Sequence, residues 1–199
     1  VWMGIKAPEI YLMNSNYLRA EHGTRAQSSL SNAIYRSFSE KIIRKLGERY
    51  GNNLTVMGWQ LDNEPEAKED YSPGSQHAFR SWLEKKYQSI DALNIAWGAA
   101  FWSQTYSDFD QIKIPNANLV GWWGTNPHAL LDFKRYASDT QADFLDFQVS
   151  ILRPLISKNQ FITTNYTATT QVADPRRTKK LDFNSFTSYP NKGNPNLGD

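Results

Sequence analysis

Short apolar runs that close on polar residues alternate with amphipathic helical stretches along this chain, and no other feature restricts its fold as much. Ser31 reads as an N-cap, and Ile34, Phe38, Ile42, Leu46 and Tyr50 then recur at helical spacing until Gly51-Asn52-Asn53 stops the helix. Leu54 to Leu61 is a mostly apolar run bounded by turn residues, as expected of a strand buried on both faces, with Asp62-Asn63-Glu64-Pro65 at its C-terminal end. Gln76 to Tyr87 carries Phe79, Trp82, Leu83 and Tyr87 on one helical face. Ser89 caps a second short helix through Ala92, Leu93, Ala96 and Trp97, so a helical hairpin is predicted, with Trp97 in its packed face.

A connection from Gly98 to Thr125, rich in aromatics and Asn, is too long for an ordinary loop and reads as functional. Asn126-Pro127 opens a further helix with Leu130, Leu131, Phe144, Phe147 and Ile151 as its apolar positions, ending near Arg153-Pro154. Phe161 to Asn165 and Phe183 to Tyr189 are two more strands. Helix and strand in alternation predict an α/β fold of repeated βα units on a parallel sheet. No repeat, Gly/Ser linker or charge block divides it, so residues 1–199 read as one domain.

In α/β barrels functional groups gather at the C-terminal ends of strands. Here those ends carry Asn63-Glu64, Asn165-Tyr166 and Ser188-Tyr189. A formal net charge of +2, dispersed along the chain, gives no nucleic-acid footprint, and no apolar run approaches the roughly 18 to 20 residues that cross a bilayer. With no Cys, thiolate metal sites and cysteine nucleophiles are excluded, and His22, His77 and His128 are too far apart in sequence to make a metal signature. Carboxylates, amides, Arg and aromatics remain. Glu64, after an apolar strand, would stand at a barrel rim where desolvation raises a carboxyl towards the range of a general acid. A glycosidase needs such an acid, together with a second carboxylate about 5 Å away when it works with retention. The many aromatics, several of them in loop segments, suit sugar stacking.

The segments Gly58-Trp59-Gln60-Leu61-Asp62-Asn63-Glu64, Ala78-Phe79-Arg80-Ser81-Trp82-Leu83 and Ala92-Leu93-Asn94-Ile95-Ala96-Trp97-Gly98 through Phe101-Trp102-Ser103-Gln104 resemble the glycoside hydrolase family 42 β-galactosidases in order and spacing. Asn126-Pro127, Leu131-Asp132-Phe133, Thr163-Thr164-Asn165 and the stretch from Asp182 to Pro190 extend the resemblance. So do Trp2, Pro8-Glu9-Ile10 and Gly23-Thr24-Arg25 upstream. It implies a partial (β/α)8 TIM barrel, the central part of a catalytic domain, acting on galactose-containing oligosaccharides in a bacterium with no cofactor. By the same resemblance Glu64 is the acid/base, Asn63 its neighbour on a sugar hydroxyl, Arg25 a polar sugar ligand and Trp102 a wall of the sugar pocket, with Asn165 and Tyr166 on the same rim.

Three departures from the family pattern stand out. Pro65 replaces a frequent aromatic and resembles the wider clan of Asn-Glu-Pro glycosidases, which leaves a different sugar specificity open. Ala67 to Ser75 lacks the cysteines that hold zinc in many members, so no metal site is expected. No segment supplies the nucleophilic Glu: Glu9, Glu21, Glu40, Glu48, Glu66, Glu69 and Glu84 fall in loops or on helix faces, and Asp182 begins a strand instead of ending one. With Val1 in place of an initiator Met, the chain reads as a piece lacking the first and last strands of a barrel, inert alone and prone to self-association through its open edges, from a parent expected to be a homo-oligomer. A degenerate barrel that binds carbohydrate without turnover is the alternative of another class.

Overall fold

A computed structural model describes residues 28–116, 122–167 and 172–188. Its regular elements are α1 (Ala33–Tyr50), β1 (Gly58–Gln60), α2 (Pro73–Tyr87), α3 (Ile90–Trp97), α4 (Pro127–Leu152), β2 (Phe161–Thr163), β3 (Asn165–Thr167) and β4 (Ser185–Thr187), with short 3-10 turns between them. The described residues pack as two compact units, one of residues 40–66 and 141–188, the other of residues 28–39 and 67–140.

The first unit is built on a single extended run. β2 and β3 are consecutive pieces of residues 161–167, and both pair in parallel: β1 with β2, β3 with β4. Successive carbonyls of an extended chain point to opposite sides. Thr163 O accordingly takes the Leu61 N–H at 2.8 Å, while Thr164 O takes the Ser185 N–H at 3.1 Å. The run therefore holds β1 along one edge and β4 along the other, the parallel arrangement expected of βα units. Thr164 has no exposed surface, and its hydroxyl donates to Leu61 O at 2.6 Å.

Several sequence expectations are corrected here. The first strand covers only Gly58–Gln60, and it is half-buried to exposed. Leu54 is 98% exposed, because the Asn53 side chain accepts the Thr55 N–H and hydroxyl and turns the chain before pairing starts. Asn165 and Tyr166 lie inside β3, not past a strand end, because pairing passes from β1 to β4 at Thr164. Asp182 precedes β4 by three residues and its carboxylate accepts the Ile162 N–H at 2.6 Å. Gly51 ends α1 as read, for a packing reason: a Cβ there would sit 2.0 Å from Leu155 O.

In the second unit the helical hairpin of α2 and α3 carries the core. Phe79, Leu83, Leu93, Trp97, Ile112, Ile114, Ala129, Phe133 and Tyr136 form one buried cluster. Burying each large member contributes about 1.5–3 kcal/mol relative to exposure. Ser89 caps α3 as expected, its Oγ accepting the Ala92 N–H at 3.2 Å, and Asn126 caps α4, its Oδ1 accepting from His128 N at 2.9 Å. α1 is capped by Asn32, not Ser31: Asn32 Oδ1 accepts from Ile34 N and Tyr35 N, while the Ser31 hydroxyl bonds Tyr136. α2 begins at Pro73, three residues earlier than its periodicity suggested, because Ser72 caps it and proline suits a first-turn position. Leu131 on α4 is 45% exposed; Phe133 and Tyr136 face the core instead.

The long connection is tied down by side chains. Asn94 exchanges two bonds with the Tyr106 backbone, and Gln76 and Arg80 both donate to Ile112 O. Asp132, 1% exposed, accepts from Tyr87 Oη at 2.5 Å, Trp97 Nε1 at 3.0 Å, Arg135 Nη1 at 3.1 Å and Lys86 Nζ. Burial pushes this carboxyl up, but the bonds from Lys86, Tyr87 and Trp97 outweigh it and hold the group below its ordinary value of 3.8.

Asp132→Ala would leave the Trp97 N–H, the Tyr87 hydroxyl and the Lys86 ammonium without their acceptor, a loss of about 3–5 kcal/mol. Urea unfolding checks it. A carboxyl depressed on folding stabilises above its unfolded value of 3.8 and loses that contribution as pH falls through its lower folded value, so the gap between the parent and Asp132→Ala should narrow on acidification below about pH 4.

Candidate active site

The Asn63-Glu64 pair sits where β1 leaves the extended run, and the hydrogen-bond register explains its geometry. After Leu61 N–H to Thr163 O, a regular parallel ladder would next bond Asn63 N–H to Asn165 O. Glu64 N–H makes that bond instead, at 3.1 Å. One residue is in excess, which is a bulge, and it sets Glu64 on the ladder position that Asn63 would have held. The extra residue is absorbed by left-handed backbone at Asp62 (φ 51°) and Glu64 (φ 51°), with Ala67 (φ 50°) following. Asp tolerates this region better than most residues, whereas at Glu64 and Ala67 it costs on the order of 1–2 kcal/mol each.

Among the described residues, two sets of side-chain bonds grip the strained segment. The Asp62 carboxylate accepts from Gln148 Nε2 at 3.1 Å and Gln141 Nε2 at 3.5 Å, both on α4. Burial drives its pKa above the ordinary 3.8, and the bonds from Gln148 and Gln141 oppose that only in part. The second grip is Asn165. Its Oδ1 accepts the Glu64 N–H at 3.1 Å and Gln60 Nε2 at 2.9 Å; its Nδ2 donates to Asn63 Oδ1 at 3.2 Å and Thr187 Oγ1 at 2.7 Å. Gln60 also donates to Asp62 O at 3.2 Å.

The expected site residues fall into distinct places. Asn63, Glu64 and Asn165 come together at this bulge; Asn63 is exposed and Glu64 half-buried. Tyr166 points the other way along β3, is 2% exposed, and bonds Thr178 through its hydroxyl at 2.8 Å, so it packs the unit and presents no polar atom at the rim. Trp102 belongs to the second unit, in a turn where it is half-buried and meets Phe101 edge to face at 5.4 Å. Arg25 lies outside the described residues, as does Tyr189. Gln60, Asp62, Gln148 and Thr187 were not among the expected residues. Gln60 and Asp62 carried a sequence signal, their place in the segment Gly58 to Glu64.

A carboxyl raised on folding makes the fold more stable as pH drops from its folded value towards 3.8. Asp62→Asn keeps an acceptor facing the glutamines and removes the buried ionisation. Denaturation midpoints across pH 4 to 8 should show the variant at least as stable as the parent at neutral pH, without the parent's gain on acidification.

The sequence profile described as Glyco_hydro_42, β-galactosidase, matches residues 1–198. A β-galactosidase of Thermus thermophilus is 38% identical over 193 residues, covering 95% of this chain and 29% of the relative. The β-galactosidase BglY of Alicyclobacillus acidocaldarius is 37% identical over 191 residues, 95% of this chain and 27% of the relative. Among solved structures, Gan42B, a GH42 β-galactosidase of G. stearothermophilus, superimposes with a TM-score of 0.83 at 36% identity, over 95% of this chain and 28% of that one. This chain thus spans less than a third of the length of each of these proteins. The described α/β arrangement corresponds to part of their TIM barrel.

Proposed function

The chain belongs to the glycoside hydrolase family 42 β-galactosidases, and from that premise we propose that it forms the part of a retaining β-galactosidase barrel that carries the acid/base. The observation that supports this reading is the bulge at the end of β1, which sets the Glu64 backbone under two bonds from Asn165 with Asn63 beside it.

In the proposed reaction Glu64, protonated, delivers its proton to the glycosidic oxygen as the bond to the terminal β-galactosyl C1 breaks and a second carboxylate attacks that carbon. Glu64, now ionised, takes a proton from the water that releases galactose. Asn63 serves a sugar hydroxyl: the Glu64 N–H can only donate, so the Asn165 atom facing it is Oδ1, Nδ2 is the donor shown to Asn63, and the Asn63 atom receiving it is Oδ1. That leaves Asn63 Nδ2 to the substrate. Arg25 and Trp102 are proposed as the further polar and aromatic contacts. The nucleophile is proposed to come from the two-thirds or more of the relatives' length that this chain does not span. The isolated segment would then be inert, and the edges of β1 and β4 that pair with no other strand among the described residues would favour its self-association.

In the full-length protein carrying this chain, Glu64→Ala should lower kcat/KM on phenyl β-galactoside by roughly 10²- to 10⁴-fold, the usual worth of a general acid. Azide should restore turnover of an activated aryl galactoside as the galactosyl azide. The 199-residue chain alone should show no turnover. Full activity of Glu64→Ala on the phenyl substrate would remove Glu64 from the acid role; a panel of aryl glycosides tests the galactose preference.

A further inference from the structure

We propose that Asn165 is a positioning residue for the acid/base, acting by pinning the β1 bulge, and that it does not touch substrate. The inference rests on Glu64 being that acid/base.

A carboxamide has two donor hydrogens and two acceptor lone pairs, and all four are committed in Asn165: Gln60 and the Glu64 N–H on Oδ1, Asn63 and Thr187 on Nδ2. None is left for a sugar hydroxyl. The same residue's main-chain oxygen accepts the Glu64 N–H as well, so one backbone donor is shared between the carbonyl and the side chain of a single residue. The partners lie on β1, on the bulge and on β4, so the amide joins all three at the position where the register slips.

The slip is what makes the amide necessary. Left-handed Asp62 and Glu64 are unfavourable on their own, and the ladder alone offers Glu64 one bond where the regular register would have placed Asn63. Without the amide, the bulge can migrate by one residue, returning Asn63 to the ladder and turning the Glu64 carboxyl to the other face of the strand. Thr187 and Gln60 fix the amide's own orientation from opposite edges of the run. Asn165 therefore reaches Glu64 through its backbone and Asn63 through its side chain, and its two halves separate those effects.

The test uses the full-length protein with two substrates that differ in their need for a proton, phenyl β-galactoside and 2,4-dinitrophenyl β-galactoside. Asn165→Ala should lower kcat/KM, which reports the bond-breaking step that needs the proton, about 10- to 100-fold more on the phenyl substrate than on the dinitrophenyl substrate, as expected for a misplaced catalytic group. Asn165→Asp keeps the acceptor for Glu64 N–H and loses the donor to Asn63. It should raise KM on both substrates and leave the ratio of their kcat/KM values near that of the parent. Equal losses of kcat/KM on the two substrates with Asn165→Ala, or unchanged kinetics, would each overturn the proposal. If Asn165→Ala does not fold, Asn165→Asp decides: a raised KM with the ratio preserved supports it, and a changed ratio or parental kinetics overturns it. Glu64→Ala measured alongside separates the two levels. A ratio unaffected by Glu64→Ala defeats the acid/base assignment and this inference with it; a ratio moved by Glu64→Ala but not by Asn165→Ala defeats this inference alone.

Discussion

The alternation of carbonyl directions along residues 161–167 is the constraint on which the first unit depends. Because Thr163 O faces β1 and Thr164 O faces β4, a single seven-residue stretch orders both neighbours, and no turn or disulfide is needed to do so. The buried Thr164 side chain strengthens the same junction by donating to Leu61 O. The next outward carbonyl, Asn165 O, is where the ladder meets Glu64 instead of Asn63, so the site grows directly out of the sheet's hydrogen bonding. The carboxyl follows β1 by four residues, and its backbone is tied to the extended run by the Asn165 carbonyl and amide.

The second unit is organised differently. Its centre is a buried carboxylate among aromatic rings, with Trp97, Tyr87, Lys86 and Arg135 all turned towards Asp132. Such a group is costly to bury unless every acceptor site is filled, and the donors here come from α2, α3 and α4 together. The network therefore specifies how these three helices meet, while the apolar cluster of Phe79, Leu83, Leu93 and Phe133 supplies the bulk of the burial energy. Lys86 lies over the Trp82 and Tyr87 rings at 4.9 Å from each centroid, packing its alkyl stem where its ammonium reaches the carboxylate.

Much of the secondary structure was legible because it is local. Ser89 and Asn126 cap helices through bonds to residues two or three positions on, and Trp97 falls on an apolar face that three-residue and four-residue spacing reveals. Strand lengths were not legible. Leu54 to Met57 is apolar enough for a strand, yet Asn53 captures the backbone there first, and no apolar pattern records that competition. The choice between Ser31 and Asn32 as cap turned on the Tyr136 hydroxyl, which is 105 residues from Ser31.

The sequence by itself determined the βα class, the helix cap at Ser89, the helix start at Asn126-Pro127, the position of Asn63-Glu64 past a strand, and a family resemblance along nearly the whole chain. These depend on periodicity, on neighbouring residues and on the order of short motifs. Only the tertiary structure decided that Tyr166 is core, that Asp62 is gripped by Gln148 and Gln141, and that Asn165 spends its whole amide on the chain around Glu64. Each of those outcomes turns on which of two alternating faces a residue occupies. Face is set by register between strands about a hundred residues apart, and a one-residue bulge in that register reverses it without leaving any trace in the order of the amino acids.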